Sequence, residues 1–418
     1  MSMKNLEEKE LIFDWNEIAE GWKPGGVIEF DDETLRDGIQ SPSVKDPTID
    51  EKIRILHLMD ELGIHSADIG LPGAGPRAVE HVTALAQEIA QAKLNIEANC
   101  AARTLKVDID PIISISQKLS LPIEASVFIG SSPIRQYAEG WTLDRMLKHT
   151  EEAVTYVVGH DLPVMYVTED TTRATPETVK KLYTTAIECG ARRICVCDTV
   201  GHAIPEGVGR LISYVREVVA ETGEDVKIDW HGHRDRGLSV PNTIAAVAAG
   251  ADRVHGTALG IGERVGNTPM DLLLVNFRLL GWIDQDLTKL SEYCRLVAEA
   301  CHVPLPKNYP VVGEDAFRTA TGVHAAAVIK AQKKGDAWLA DRVYSGVPAG
   351  AFGLKQKIEI GPMSGESNVI YWLEQHNIEP EGTLVNRIFD AAKHANFVLT
   401  DDEITAIVQS GKEAQNER

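Results

Sequence analysis

From about residue 26 onward the chain repeats one pattern: a short apolar or β-branched run, a polar or glycine-bearing end, then apolar residues at helical spacing. Strands are predicted over 27–33 (VIEFDDE), 66–71 (SADIGL), 95–101 (NIEANCA), 123–130 (IEASVFIG), 164–170 (VMYVTED), 192–199 (RRICVCDT), 226–233 (VKIDWHGH) and 253–260 (RVHGTALG). Between them lie helical stretches such as TIDEKIRILHLMDELG, where Thr48 and Glu51 form a capping box and Gly63 is the stop. VPNTIAAVAAG, ending on Gly250, is another. Strand followed by helix eight times over about 250 residues predicts an α/β fold, a (β/α)8 TIM barrel. The competitor is a doubly wound open sheet. The barrel is favoured because polar residues collect at the C-terminal strand ends: Arg36 and Asp37, Arg103, Ser131 and Ser132, Glu169 and Asp170, Asp198 and Thr199, His231 and His233, Glu263 and Asn267. In a closed barrel those ends meet at one mouth.

After about residue 283 the pattern changes. SEYCRLVAEACHV is helical, KNYPVVGEDAF is a linker, and RTATGVHAAAVIKAQKKG, SGESNVIYWLEQHN, TLVNRIFDAAKHAN and DDEITAIVQSG are expected to be helices with no strands between them. The predicted division is an N-terminal arm (1–25), the barrel (26–283), a linker and helical subdomain carrying His324 (284–345), and a second, mainly helical subdomain (346–418). The last residues, KEAQNER, are expected to fray.

Composition narrows the class. With 62 acidic and 42 basic residues the formal charge is −20, which repels nucleic acid and anionic membranes. No apolar run approaches the length of a membrane span, and the acidic start lacks the form of a signal peptide, so a cytoplasmic protein is expected. The six cysteines show no zinc-site pairing, and Cys195 and Cys197 fall in an apolar strand, where structural thiols are expected.

Candidate chemistry starts at IDWHGHRDRG. Residues two apart on a strand share a face, so His231 and His233 can turn both imidazoles to one point. Asp37, just past the first strand, supplies a possible third metal ligand, with Gly38 allowing a sharp turn. Taken alone, H-x-H is a weak motif; the alternative is a pair of solvated loop histidines with Asp37 capping a helix. The glycine-rich GTALGIGERVG follows the last strand and lacks dinucleotide-fingerprint spacing, so that reading is rejected.

DDETLRDGIQ, HGHRDRG and GIGERVGN together resemble the family of 2-isopropylmalate, homocitrate and citramalate synthases, with hydroxymethylglutaryl-CoA lyases as more distant relatives. The resemblance covers roughly residues 26 to 360. It implies that Asp37, His231, His233 and Asn267 hold a divalent metal (Mg, Mn or Zn), and that Arg36 faces the 2-oxo group of the substrate. Glu169 and Thr199 match positions around that 2-oxo acid, Thr199 suiting a carboxylate hydrogen bond. His324, in ATGVHAAAV, matches a catalytic histidine of the helical extension that often acts across a dimer interface, and Tyr344 resembles a second extension residue; a homodimer follows. Read without the resemblance, both are packed aromatic side chains. The implied reaction is a metal-dependent condensation of acetyl-CoA with a 2-oxo acid, 2-oxoisovalerate foremost, giving 2-isopropylmalate for leucine biosynthesis. Homocitrate, citramalate or citrate synthesis and an aldol-type lyase are the alternatives. Arg234, Ser126, Asp68 and the HAAAV run depart from the family's usual residues and bear on the substrate side chain. A leucine-binding regulatory domain is not expected.

Overall fold

The computed structural model describes residues 8–16 and 22–416, so a little under half of the predicted N-terminal arm (1–25) lies outside the described residues. A short helix, α1 (Glu8–Leu11), precedes eight strands: β1 (Glu29–Asp32), β2 (Ser66–Asp68), β3 (Glu97–Arg103), β4 (Ile123–Gly130), β5 (Val164–Glu169), β6 (Arg193–Asp198), β7 (Lys227–Gly232) and β8 (Arg253–Gly256). Each pairs in parallel with the next, and β8 pairs with β1 in the register Glu29 to Arg253, closing the barrel. All eight predicted strands are present, and the open-sheet alternative falls.

The helices wrapping the barrel are α2 (Ile49–Glu61), α3 (Pro76–Ala92), α4 (Lys106–Leu119), α5 (Pro133–Glu139), α6 (Leu143–Val158), α7 (Pro176–Glu188), α8 (Pro205–Thr222), α9 (Ser239–Ala248) and α10 (Met270–Leu279). Helix α2 starts as its sequence dictates. The Thr48 hydroxyl accepts from the Glu51 N–H, and the Glu51 carboxylate accepts from the Thr48 N–H. Gly63 ends it at φ 72°, a left-handed conformation that favours glycine.

The chain divides into two compact units, residues up to Gln285 with Leu296–Val303, and Asp286–Arg295 with the chain from Pro304 onward. The remaining helices are α11 (Leu290–Ala300), α12 (Gly322–Lys333), α13 (Ala337–Arg342), α14 (Glu366–Gln375), α15 (Gly382–His394) and α16 (Asp401–Asn416). The second unit has one apolar cluster around Ala325, Val328, Ile329 and Ile358 and another around Val369, Trp372, Leu373 and Ile388. The expectation of helices alone is corrected here. Two short parallel strands, β9 (Arg318–Thr319) and β10 (Lys357–Ile358), pair within this unit, so the helix expected from Arg318 starts at Gly322. The tail expected to fray from Lys412 continues as helix α16 to Asn416. Among the described residues no helix is long and apolar enough to cross a membrane.

Candidate active site

The barrel interior departs from the usual layers of aliphatic side chains. Arg253 on β8 is fully buried, with Nε on Asp229 at 2.6 Å, Nη2 on Glu124 at 2.6 Å and Nη1 on the Ser66 hydroxyl at 3.1 Å. Arg193 joins Asp229 at 2.8 Å to Glu29 at 2.7 Å. Above this charged floor opens a cavity of about 140 Å³ lined by residues from the strand ends.

The Asp37–histidine set is assembled at its mouth. His231 Nε2 and His233 Nε2 lie 3.6 and 3.8 Å from the same Asp37 oxygen, and all three residues are buried. A divalent cation with ligands at 2.0–2.2 Å holds its donor atoms roughly 3 Å or a little more apart, so this spacing fits one ion after a small contraction. Asn267 forms an isolated antiparallel bridge with His233, and its Nδ2 donates to the Ile261 carbonyl. One Asp37 oxygen and Asn267 Oδ1 are buried without hydrogen-bond partners. Buried polar atoms seldom stay unsatisfied, and this donor set, carboxylate, imidazole and amide oxygen, suits a hard or borderline divalent cation. Burial, reinforced by His231, pushes His233 down to about 4, so its ring is neutral, the form that binds metals.

Gly38 sits where the sequence puts it, for a different reason. Its backbone is outside the left-handed region, but a Cβ there would stand 3.1 Å from the Ile261 side chain. Packing against the β8 loop, rather than turn geometry, calls for glycine.

Arg36 points into the cavity and is gripped by three carboxylates: Asp68 at 2.7 Å, Glu33 at 3.0 Å and Asp37 at 3.3 Å. Burial disfavours its charge, yet these carboxylates hold its pKa well above the ordinary arginine value. Asp68 is pushed up to about 7, chiefly by burial, with Arg36 pulling the other way. Burial also raises Glu169, whose carboxylate stands 3.6 Å from Arg135. The Thr199 hydroxyl accepts from the Asp170 N–H at 2.8 Å, so its own proton is left free to donate, and the residue lines the cavity.

Several strand-end residues expected at the mouth do other work. Arg103 pairs with Asp108, Ser132 caps α5, and Asp198 accepts from the backbone of His202 and Ala203. Cys195 and Cys197 are buried with sulfurs 3.7 Å apart, and they line the cavity. In the second unit His324 and Tyr344 stack with ring centroids 4.1 Å apart, both rings exposed to a large degree. Sequence reasoning missed Glu33 and His255. Glu33 lies between Arg36, His231 and His255, and all four line the cavity. The signal was there: charged residues recur at every second position of strands whose other face is apolar.

Comparisons with known proteins agree with this geometry. The family model described as HMGL-like matches residues 27–297. A homocitrate synthase of Methanopyrus kandleri is 33% identical over 94% of this chain and 95% of its own length. A probable 2-isopropylmalate synthase of the same organism is 34% identical over 84% of this chain and 66% of its own. The 2-isopropylmalate synthase of Sulfolobus acidocaldarius is 33% identical over 88% and 90%. Among solved structures, the HMG-CoA lyase of Bacillus subtilis superposes with a TM-score of 0.56 at 17% identity, covering 68% of this chain and 97% of the lyase, which speaks to the fold alone. Matched through the whole barrel by that family model and nearly end to end by a synthase a third identical, the chain belongs to the HMGL-like family of 2-isopropylmalate synthase-like enzymes.

Proposed function

We propose that the chain condenses acetyl-CoA with a branched apolar 2-oxo acid, 2-oxoisovalerate foremost, to give 2-isopropylmalate and CoA. The cavity lining carries this reading. Leu71, Ala101, Phe128, Met165 and Val167 form an apolar wall, and Arg36 is the single arginine or lysine among the lining residues, against Glu33, Asp68, Glu169 and Glu263. Arg36 and Thr199 suit the shared 2-oxo acid head. A second carboxylate on the substrate would meet acids, and the lining cations Arg36 and His255 are already held by carboxylates, whereas a branched alkyl group gains from the wall. The likeness to homocitrate synthase makes 2-oxoglutarate the second reading, and the Met165–Val167 wall argues against it.

Asp37, His231, His233 and Asn267 are the proposed holders of a divalent cation. When bound, such an ion supplies Lewis-acid polarisation of the 2-oxo group. Arg36 faces the same carbonyl oxygen and offsets the charge that grows on it as the bond forms. Thr199 donates to the substrate carboxylate, and Glu169 helps orient the 2-oxo acid. His324, stacked on Tyr344, takes a proton from the acetyl methyl group. The methyl carbon then bonds to the ketone carbon, the ketone oxygen gains a proton, and water cleaves the thioester to free CoA. His324 is proposed to act in a homodimer, on the site of the partner copy.

A neighbouring cleft of about 430 Å³ supports the acyl-CoA part. It shares Arg36, Gln40 and Leu71 with the cavity and carries Lys52, Arg77 and His81 beside apolar Leu35 and Ile39. Lys52 and Arg77 answer to one carboxylate, Asp46, at 2.6 and 2.9 Å. In a chain of charge −20, Arg77 is the exposed cation of this cleft, Lys52 being buried against Asp46, and it offers the phosphates of CoA a positive contact.

The test is CoA release from acetyl-CoA with a panel of 2-oxo acids, with EDTA and with metal restored. Metal-dependent release strongest with 2-oxoisovalerate is expected. A preference for 2-oxoglutarate refutes the substrate assignment, and no release with any 2-oxo acid refutes the condensation.

A further inference from the structure

Glu33 is 3% exposed and touches three functional side chains at once. One carboxylate oxygen lies 2.9 Å from His255 Nδ1 and 3.0 Å from Arg36 Nη2; the other lies 2.8 Å from His231 Nδ1. His255 is itself held from the far side, its Nε2 lying 2.9 Å from Asp229, which Arg253 and Arg193 grip in turn. The side chains form a buried strut from the barrel floor to the mouth.

Resting on the reading of Asp37, His231 and His233 as a cation site, we infer that Glu33, braced by His255, is a positioning residue for that site. An imidazole can offer Nε2 to an ion only when its proton sits on Nδ1. His231 turns Nε2 toward Asp37 and Nδ1 toward Glu33; the 2.8 Å contact is not aligned as a hydrogen bond, but a carboxylate oxygen this close repels a bare ring nitrogen and so favours the proton on the nitrogen away from the ion. Arg36 could be held by Asp68 and Asp37 alone, but Glu33 is the acidic residue at the far nitrogen of His231.

Glu33, His231 and His255 also stand close enough together to suggest a second cation. Both nitrogens of His255 face carboxylates at hydrogen-bond distance, so neither has a lone pair turned toward an ion. The cluster is a strut, not a second metal site.

Glu33→Gln retains the shape but lets an amide N–H as well as an oxygen meet His231, so the tautomer is no longer selected. The experiment measures Mn²⁺ binding to the full chain by calorimetry, without substrates, for wild type, Glu33→Gln and Asp37→Asn, with thermal midpoints alongside. Glu33→Gln should bind roughly ten- to a hundredfold more weakly at a near wild-type midpoint. Wild-type affinity in Glu33→Gln, with binding lost in Asp37→Asn, overturns the strut and leaves the cation site standing. Unchanged affinity in both variants overturns the cation site and the strut with it. A second measurement needs no variant: nitrogen NMR of the metal-free wild type should find His231 protonated on Nδ1, and an Nε2–H ring overturns the proposal.

Discussion

Replacing Arg36 separates its two duties. The guanidinium holds three buried carboxylates at 2.7 to 3.3 Å while presenting a positive charge to the cavity, and its side chain is 17% exposed. Lysine retains the charge but concentrates it on one nitrogen that cannot reach three carboxylates and a substrate oxygen together. The loss of one preorganised donor at a developing oxyanion is worth about 2.7–4 kcal/mol, so Arg36→Lys should lower kcat by about 10²–10³. Its KM for the 2-oxo acid should change less than kcat, because the contact strengthens as charge develops. Arg36→Met goes further and leaves Glu33, Asp37 and Asp68 facing one another without a counter-ion. Breaking a buried pair of this kind costs about 3–5 kcal/mol. In a chain of this size that corresponds to a drop of roughly 3–6 °C in the thermal midpoint. The assays are CoA release followed with a thiol reagent and a thermal melt of each variant. An Arg36→Lys enzyme with wild-type kcat, or an Arg36→Met protein with an unshifted midpoint, would show that the carboxylate grip has been misread.

Three further predictions follow from other parts of the cavity and its cleft. Ala101→Leu thickens the apolar wall and should lower kcat/KM for 2-oxoisovalerate relative to pyruvate by about 10–200-fold, read from the ratio of the two; an unchanged ratio removes Ala101 from the specificity surface. Arg77→Glu should raise KM for acetyl-CoA about tenfold, more at low salt, while leaving acetyl-pantetheine, which lacks the phosphates, unaffected. Equal effects on both thioesters would point to a distorted fold instead. Asp68, raised to about 7 mainly by burial, is preferred in its protonated form by the fold. Its stabilising contribution is therefore full below about pH 4 and is lost as pH rises through 7. The thermal midpoint of the metal-free protein should fall between pH 5 and 8, and Asp68→Asn should flatten that fall; an identical profile in the variant rejects the assignment.

Much of the barrel is legible because its signals are local and repeated. Each strand predicted from 27–33 to 253–260 contains the observed one, apart from β3, which runs two residues past its predicted end at Ala101. The Thr48–Glu51 cap and the left-handed Gly63 are written in neighbouring residues. The H-x-H spacing brought His231 and His233 to one point because strand alternation demands it. What escaped depends on distance in sequence. Two residues carry no period, so β9 and β10, paired across 39 positions, could not be told from helix and loop. Glu33 and His255 meet across 222 positions, and nothing near either residue names the other. The reason for Gly38 lay in Ile261, on the opposite end of the barrel sequence.

The charges along the barrel axis are unevenly shared between its halves. β1–β4 and the loop after β1 contribute Glu29, Asp31, Glu33, Asp37, Asp68 and Glu124 against the single cation Arg36, while β5–β8 contribute Arg193, Arg253 and the histidines, with Asp229 and Glu169 among them. Arg253 alone draws on β2, β4 and β7. A chain split between β4 and β5 would therefore leave one fragment with an excess of acid that Arg36 only partly offsets, and another whose Arg193 and Arg253 have lost Glu29 and Glu124. Neither could close on a copy of itself, as a half-barrel lined by aliphatic residues can. The axis thus makes the halves complementary to each other and poor partners for themselves, which ties assembly of the barrel to the order of its strands.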